Sequence, residues 1–214
     1  MMELHKSLGV FSKSNDGKRS FYTANDPDLM INVVVDHLLL VSPQKGRTKK
    51  EEMDLISTYC VRFRELCQTS FTIIMQESRN ASTTDRRKMD LQEPTVDDIQ
   101  QSSEPLQAAD ICIALFSPFR QQLKTYHKYK ITSDDIGPGL EDVLRSAIIL
   151  KNRYGIANRF VILGFQGSIG RFVELPKSDL IDYSIYQSWK DEKVEDQKQE
   201  EQKIEDKSKT KYSF

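Results

Sequence analysis

Two apolar runs carry polar side chains capable of binding a ligand. Residues 31–41 read INVVVDHLLLV, a Val-rich run interrupted only by Asp36 and His37. Such a composition suits a strand buried on both faces of a parallel sheet. A carboxylate late in that strand lies near the C-terminal edge, where open α/β sheets bind ligands. Burying it unpaired is costly, so it needs a hydrogen bond, a cation or a metal. Two roles are open to Asp36: to hold Mg²⁺ beside a nucleotide, or to cap the following turn. A second run, FTIIMQ over 71–76, also ends in a polar residue, Gln76. It is followed by a long basic stretch, SRNASTTDRRKMDLQ over 78–92, which carries Arg79, Arg86, Arg87 and Lys88. Polar stretches of that length in compact domains are either functional or mobile surface loops. No GxxxxGK[ST] occurs anywhere in the chain, so the usual phosphate-cradling loop of an ATPase is absent from it. Gly167 and Gly170 of FQGSIGR are no substitute, since no Lys-Ser/Thr follows them.

The elements that must position these residues follow from periodicity. Between the two apolar runs, residues 51–68 show helical spacing, with Met53, Ile56, Cys60, Phe63 and Cys67 on one face and Thr48 and Glu51 as a capping pair. Strand, helix and strand in this order predict one βαβ unit with a parallel pair. Ahead of it, 9–12 and 19–22 flank Asn15-Asp16-Gly17, which reads as a hairpin, and Asn25-Asp26-Pro27-Asp28 breaks the chain before the strand. After the basic stretch come a short helix over 95–106 and a buried strand, ADICIALF, over 109–116. Residues 126–135 read as polar, and Gly137-Pro138-Gly139 as punctuation. Three closing strands over 144–150, 159–165 and 171–175 read as an antiparallel meander at the edge of the sheet. From Lys190 the chain is almost entirely charged or amide side chains and reads as disordered or as a lone solvated helix, while Trp189 before it reads as a core residue.

Composition bounds the rest. The 214 residues are 38% hydrophobic, enough for a real core, and 31 Lys+Arg stand against 32 Asp+Glu. Any basic surface is therefore local, and no global field announces nucleic acid. Cys60, Cys67 and Cys112 sit inside apolar segments without metal-ligand spacing, which predicts small buried thiols in a reducing compartment. With no run long enough for a membrane span and no signal-peptide pattern, the sequence reads as cytoplasmic, with no membrane partner.

The order of these pieces carries a resemblance. The hydrophobic strand carrying Asp36-His37, the amphipathic helix, the strand ending in Gln76, the Gln107-Ala108-Ala109-Asp110 strand start and Lys151-Asn152-Arg153-Tyr154-Gly155 together resemble the C-terminal ATPase domain of DnaB-type replicative DNA helicases. Those are hexameric motors with a RecA-like fold, and the likeness runs from about residue 32 to 175. It implies an α/β, RecA-like three-layer core with a mostly parallel sheet and antiparallel C-terminal strands, present here as a partial domain. Three divisions follow: a hairpin lead-in over 1–30, the C-terminal half of the helicase core over 31–176 and a charged tail over 177–214.

By the same resemblance Asp36 corresponds to the Walker B aspartate that holds Mg²⁺. Met75-Gln76-Glu77-Ser78-Arg79 is similar to the family's strand end whose glutamine senses the γ-phosphate. An uncharged amide at that place can donate to phosphate and accept from water. Lys151 and Arg153 resemble the lysine and arginine finger that reach the neighbouring subunit's nucleotide. A guanidinium offered in trans stabilises charge on a transferring phosphoryl group. The segment Ile99-Gln100-Gln101-Ser102-Ser103 departs from the family's Leu-Arg-Glu-Ser-Gly, having lost both charges and the glycine. The larger departure is that the strands carrying the P-loop and the catalytic glutamate are not in the sequence.

Three expectations stand side by side. The chain is part of an ATP-dependent helicase whose ATP and Mg²⁺ are shared with a P-loop-bearing polypeptide, in a homo- or hetero-oligomeric ring on single-stranded DNA. Alternatively it is a non-catalytic RecA-fold module that lends Lys151 and Arg153 to a partner ATPase. Or it binds single-stranded DNA through Arg79, Arg86, Arg87 and Lys88.

Overall fold

The computed structural model describes residues 2–77, 86, 91–99, 103–137 and 139–189. The chain divides into two compact units, Met1–Lys88 with Thr95–Asp110, and Met89–Pro94 with Ile111–Phe214.

In the first unit, helix α1 (Met2–Leu8) leads into the antiparallel hairpin β1 (Gly9–Lys13) and β2 (Ser20–Ala24). The turn forms where Asn15-Asp16-Gly17 predicts it. Gly17 takes a φ of +68°, and Asp16 Oδ1 accepts from the Lys18 backbone N–H at 3.1 Å. His5 of α1 is fully buried, with Nε2 2.7 Å from Thr69 Oγ1 and its ring 5.0 Å from that of Phe63.

Strands β3 (Asn32–Val35) and β4 (Ser70–Ile73) pair in parallel, Val33 opposite Phe71 and Val35 opposite Ile73. Helix α2 (Lys49–Cys67) connects them. The capping pair is present as a reciprocal box: Thr48 N donates to Glu51 Oε2 at 2.7 Å, and Glu51 N donates to Thr48 Oγ1 at 3.3 Å.

The long buried strand expected over 31–41 is corrected. Extended pairing stops at Val35, the Asp36–His37 peptide bond is cis, and Leu38–Leu40 forms a 3₁₀ turn. The turn is held because Leu38 is fully buried against Met53, with Val35, Val41, Ile56, Ile73 and Met75 around them. Burying Leu38 at the turn competes successfully with continued strand. The pair is also not covered on both faces, for Val34 is 59% exposed.

The second unit is built on a four-stranded sheet in the order β10–β9–β8–β5, where β5 is Ile111–Phe116, β8 Leu144–Asn152, β9 Arg159–Gln166 and β10 Arg171–Glu174. Every neighbouring pair is antiparallel. The predicted closing meander is present. Among the described residues parallel pairing is confined to β3 and β4, which corrects the expectation of a mostly parallel sheet. The physical reason is locality: β8 and β9 are the longest strands and zip across a short turn, and β5 joins β8 on their other edge. The run ADICIALF is likewise only half buried, with Ile111, Ile113 and Leu115 exposed.

Two short strands, β6 (Thr125–Tyr126) and β7 (Tyr129–Lys130), form a hairpin inside the stretch that reads as polar. Tyr126, Tyr129 and Ile131 are buried in the same core as Phe116, Leu144, Ile148 and Ile162. The helical residues 184–189 complete that core. Tyr186 has no exposed surface, and Trp189 packs against the cluster, as the sequence predicts for it. The charged tail from Lys190 lies outside the described residues, as do Arg79, Arg87 and Lys88 of the basic stretch and Gln100–Ser102. Among the described residues no helix is long and apolar enough to cross a membrane. All three cysteines are free, Cys67 buried and Cys60 and Cys112 half-buried.

Candidate nucleotide site

Asp36 is the first residue past β3 and its side chain is exposed. The backbone on either side of it is fixed. Ile74 N donates to Val35 O at 3.0 Å, and Leu38 N donates to Ile74 O at 3.1 Å, so the two chains stay stitched together beyond the strand ends. With Leu38 buried below, the carboxylate is held at the C-terminal edge of the parallel pair. His37 beside it is half-buried, and its Nδ1 is buried without a hydrogen-bond partner.

Gln76 leaves β4 at the same edge, three positions after Ile73, and is exposed. Its flanks anchor it. Met75 packs on the Leu38–Met53 cluster, and Glu77 forms an antiparallel bridge with Ile99. The structure therefore brings Asp36 and Gln76 to one edge of one strand pair.

Lys151 and Arg153 belong to the second unit. Lys151 is half-buried in β8, opposite Cys112, where a bulge interrupts the β5–β8 register between Cys112 and Ile113. Bulges re-aim side chains and cluster near functional sites. Burial pushes the Cys112 thiol up, and the Lys151 charge works against that rise. Arg153 is exposed in the turn that follows Asn152, whose Oδ1 accepts from Tyr154 N at 3.1 Å.

Of the basic residues, Arg86 forms an ion pair with Asp98 at 2.5 Å. Burial opposes ionisation of Asp98, yet hydrogen bonds from Arg86 and from Thr95 outweigh it and hold the carboxyl below its usual range. Thr95 and Asp98 form a second capping box around the 3₁₀ turn Val96–Asp98. Its T-x-x-D spacing is readable in the sequence, although the segment reads there only as part of a short helix.

Two further fixtures carry no role in the sequence reading. Asp110 of QAAD accepts from Arg64 Nη1 at 2.8 Å, and the same nitrogen donates to Ala108 O at 3.1 Å, which pins that motif to α2. Buried Glu52 accepts from Gln44 N at 3.3 Å and from Arg47 Nη1 at 3.4 Å, tying the loop after Asp36 to the first turn of α2. The signals are an acid after a small-residue pair and an acid in a helix's first turn. Neither spacing identifies its partner.

Among the described residues no three His, Cys, Asp or Glu side chains gather as a metal cluster. The donor set suits Mg²⁺ nonetheless, because that ion keeps most of its water and binds through one or two carboxylates plus phosphate oxygens. The exposed Asp36 carboxylate at a strand's C-terminal edge is one oxygen donor of the kind such an ion takes, whereas the His37 imidazole is not.

No protein-family model and no curated protein matches the sequence. Solved structures do match. A DnaB-like replicative helicase, studied in its interactions with primase, aligns with a TM-score of 0.54 and 21% identity, covering 71% of this chain and 32% of that one. A second solved structure, an isolated ATPase domain, aligns with a TM-score of 0.53 and 21% identity, covering 71% of this chain and 46% of that one. The chain thus shares the fold of these two structures over 71% of its length, and it spans less than half the length of either.

Proposed function

We propose that this chain supplies the second half of the ATPase core of a DnaB-type replicative DNA helicase, with the phosphate-binding loop and catalytic carboxylate coming from outside these 214 residues. The observation that carries the reading is the placement of Asp36 and Gln76 at one C-terminal strand edge, in a chain of helicase-related fold whose sequence holds no GxxxxGK[ST].

In this reading Asp36 would hold Mg²⁺ through its exposed carboxylate. Gln76 donates its amide N–H to the γ-phosphate and accepts from the attacking water. Lys151 and Arg153 serve a neighbouring subunit's nucleotide, where a fork of N–H donors and a permanent charge stabilise the transferring phosphoryl group. Mg²⁺–ATP, when bound, supplies the phosphoryl group and neutralises its charge. Single-stranded DNA, through Arg79, Arg86, Arg87 and Lys88, is the polymer the ring encircles.

A second reading is favoured by Arg153 itself, exposed at the end of a strand whose unit has its own large core. The chain then acts as a non-catalytic activator that lends Lys151 and Arg153 to a partner ATPase. Gentle co-purification of the tagged chain from its native host, with mass spectrometry, tests the main proposal. A P-loop polypeptide arriving in equal amount supports it. A chain that arrives alone and remains soluble contradicts it.

A further inference from the structure

Asp98 is 6% exposed, and its two oxygens are divided between two tasks. Oδ2 accepts from Thr95 N at 2.7 Å and from Thr95 Oγ1 at 2.9 Å, while Oδ1 accepts from Arg86 Nη1 at 2.5 Å. The next residue, Ile99, bridges to Glu77, which directly follows Gln76. Partial burial first and the Asp98 charge second push the Glu77 carboxyl above its ordinary range, and Arg86 works against both. One guanidinium thus answers two carboxylates at the foot of the basic stretch.

A guanidinium presents carboxylate and phosphate with the same planar set of N–H donors. The two anions therefore compete for it. We propose that Asp98 holds, on Arg86, the position that a backbone phosphate of a single-stranded nucleic acid takes, so that this carboxylate, with Glu77 beside it, sets how tightly the chain binds a single strand. The inference rests on the single-strand reading above. Surrendering Arg86 to a phosphate leaves Glu77 and Asp98 facing each other without that cation, and the penalty weakens binding. Neutralising Asp98 while keeping an oxygen for Thr95 removes the competitor and leaves the capping bond.

The test is binding of a fluorescent oligothymidylate to the full chain by anisotropy across a salt series, for wild type, D98N, R86A, the double variant and E77Q. D98N is expected to bind several-fold tighter, with a salt slope steeper by about 0.7, one further phosphate neutralised on a single strand. R86A weakens binding by less than the D98N gain, because Asp98 already holds the group, and in the double variant it abolishes that gain. Should D98N fail to fold, judged by its thermal melt, E77Q carries the test, and a smaller tightening is expected. A folded D98N, or E77Q in its stead, that binds no tighter than wild type overturns the inference and leaves the single-strand reading intact. Absence of binding by wild type and every variant overturns both.

Discussion

The two units of this chain bury their apolar residues to very different extents. The β3–β4 pair has four residues in each strand, and among the described residues its cluster has Leu38 and Met53 as its fully buried members. Among the described residues the core of the second unit has eleven buried hydrophobic members, from Phe116 to Tyr186. Parallel strands are ordinarily covered on both faces, and unpaired edges with apolar side chains are aggregation templates. Val34, Leu40 and Ile74 are nonetheless exposed around the pair that carries Asp36 and Gln76. Both units leave apolar side chains exposed, Ile111, Ile113 and Leu115 in the second among them, so the difference between them lies in the size of the buried cluster. Under the proposed composite site, further strands would be added beside Asp36, where the buried cluster is the smaller one.

The comparison can be broken first at the function it implies. Arg153→Ala, in a preparation reconstituted with a P-loop-bearing partner, is expected to lower ATP turnover by about 10³-fold or more, as for other trans arginines. An unchanged rate in an assembled complex removes Arg153 from the site. Next comes the well-packed unit. Tyr186→Ala empties a fully buried aromatic position and is expected to cost about 3–5 kcal/mol, read as a shift of the unfolding transition in urea. A shift below about 1 kcal/mol contradicts the role of residues 184–189 as core. Gly164→Ala probes the same seam. A Cβ there would lie 2.2 Å from the Trp189 ring, so the tryptophan must be displaced, a loss visible in its fluorescence.

Hydrogen exchange sharpens the contrast without mutation. Amides of Val33–Val35 and Phe71–Ile73 are expected to exchange faster than those of Ala147–Ile149 and Val161–Leu163, because a pair with a small core opens locally more often. Equal protection contradicts the asymmetry. A capping change is smaller still: Thr48→Ala is expected to destabilise α2 by about 1 kcal/mol in the same urea titration.

The smallest effect is one of pH. Glu77 has a folded pKa raised above its unfolded value, so its contribution to stability is present below about pH 4.3 and is lost as pH rises through the folded value. Asp98 has a lowered value and acts with the opposite sign, losing its contribution as pH falls below about 3.9. Glu77→Gln should therefore be more stable than wild type near neutral pH and indistinguishable from it below about pH 4. A gap that widens on acidification contradicts the assignment.

Much of this is legible in the sequence, and what is not has physical causes. Helix α2 is legible because period and capping box agree, and β8 to β10 because apolar runs alternate with Gly-containing turns. The break after Val35 is hidden, since burying Leu38 in a turn looks the same in sequence as continuing a strand. The β6–β7 hairpin escapes because its two turn residues, His127 and Lys128, take left-handed φ values of +46° and +69° with no Gly or Asn to mark them. Gln76 can be placed at a strand end from pattern alone and Asp36 only late in its apolar run, and their sharing one edge depends on the parallel register. The Arg86–Asp98 pair joins positions no periodicity connects.

The most direct measurement of the central claim is ATP hydrolysis, with single-stranded DNA present, by this chain alone, by a P-loop-bearing DnaB-type half alone and by the two mixed. Hydrolysis that appears only in the mixture, and falls when Asp36 is replaced by Asn, is the predicted result. Hydrolysis by this chain alone, or a mixture that assembles and stays inactive, contradicts the composite site.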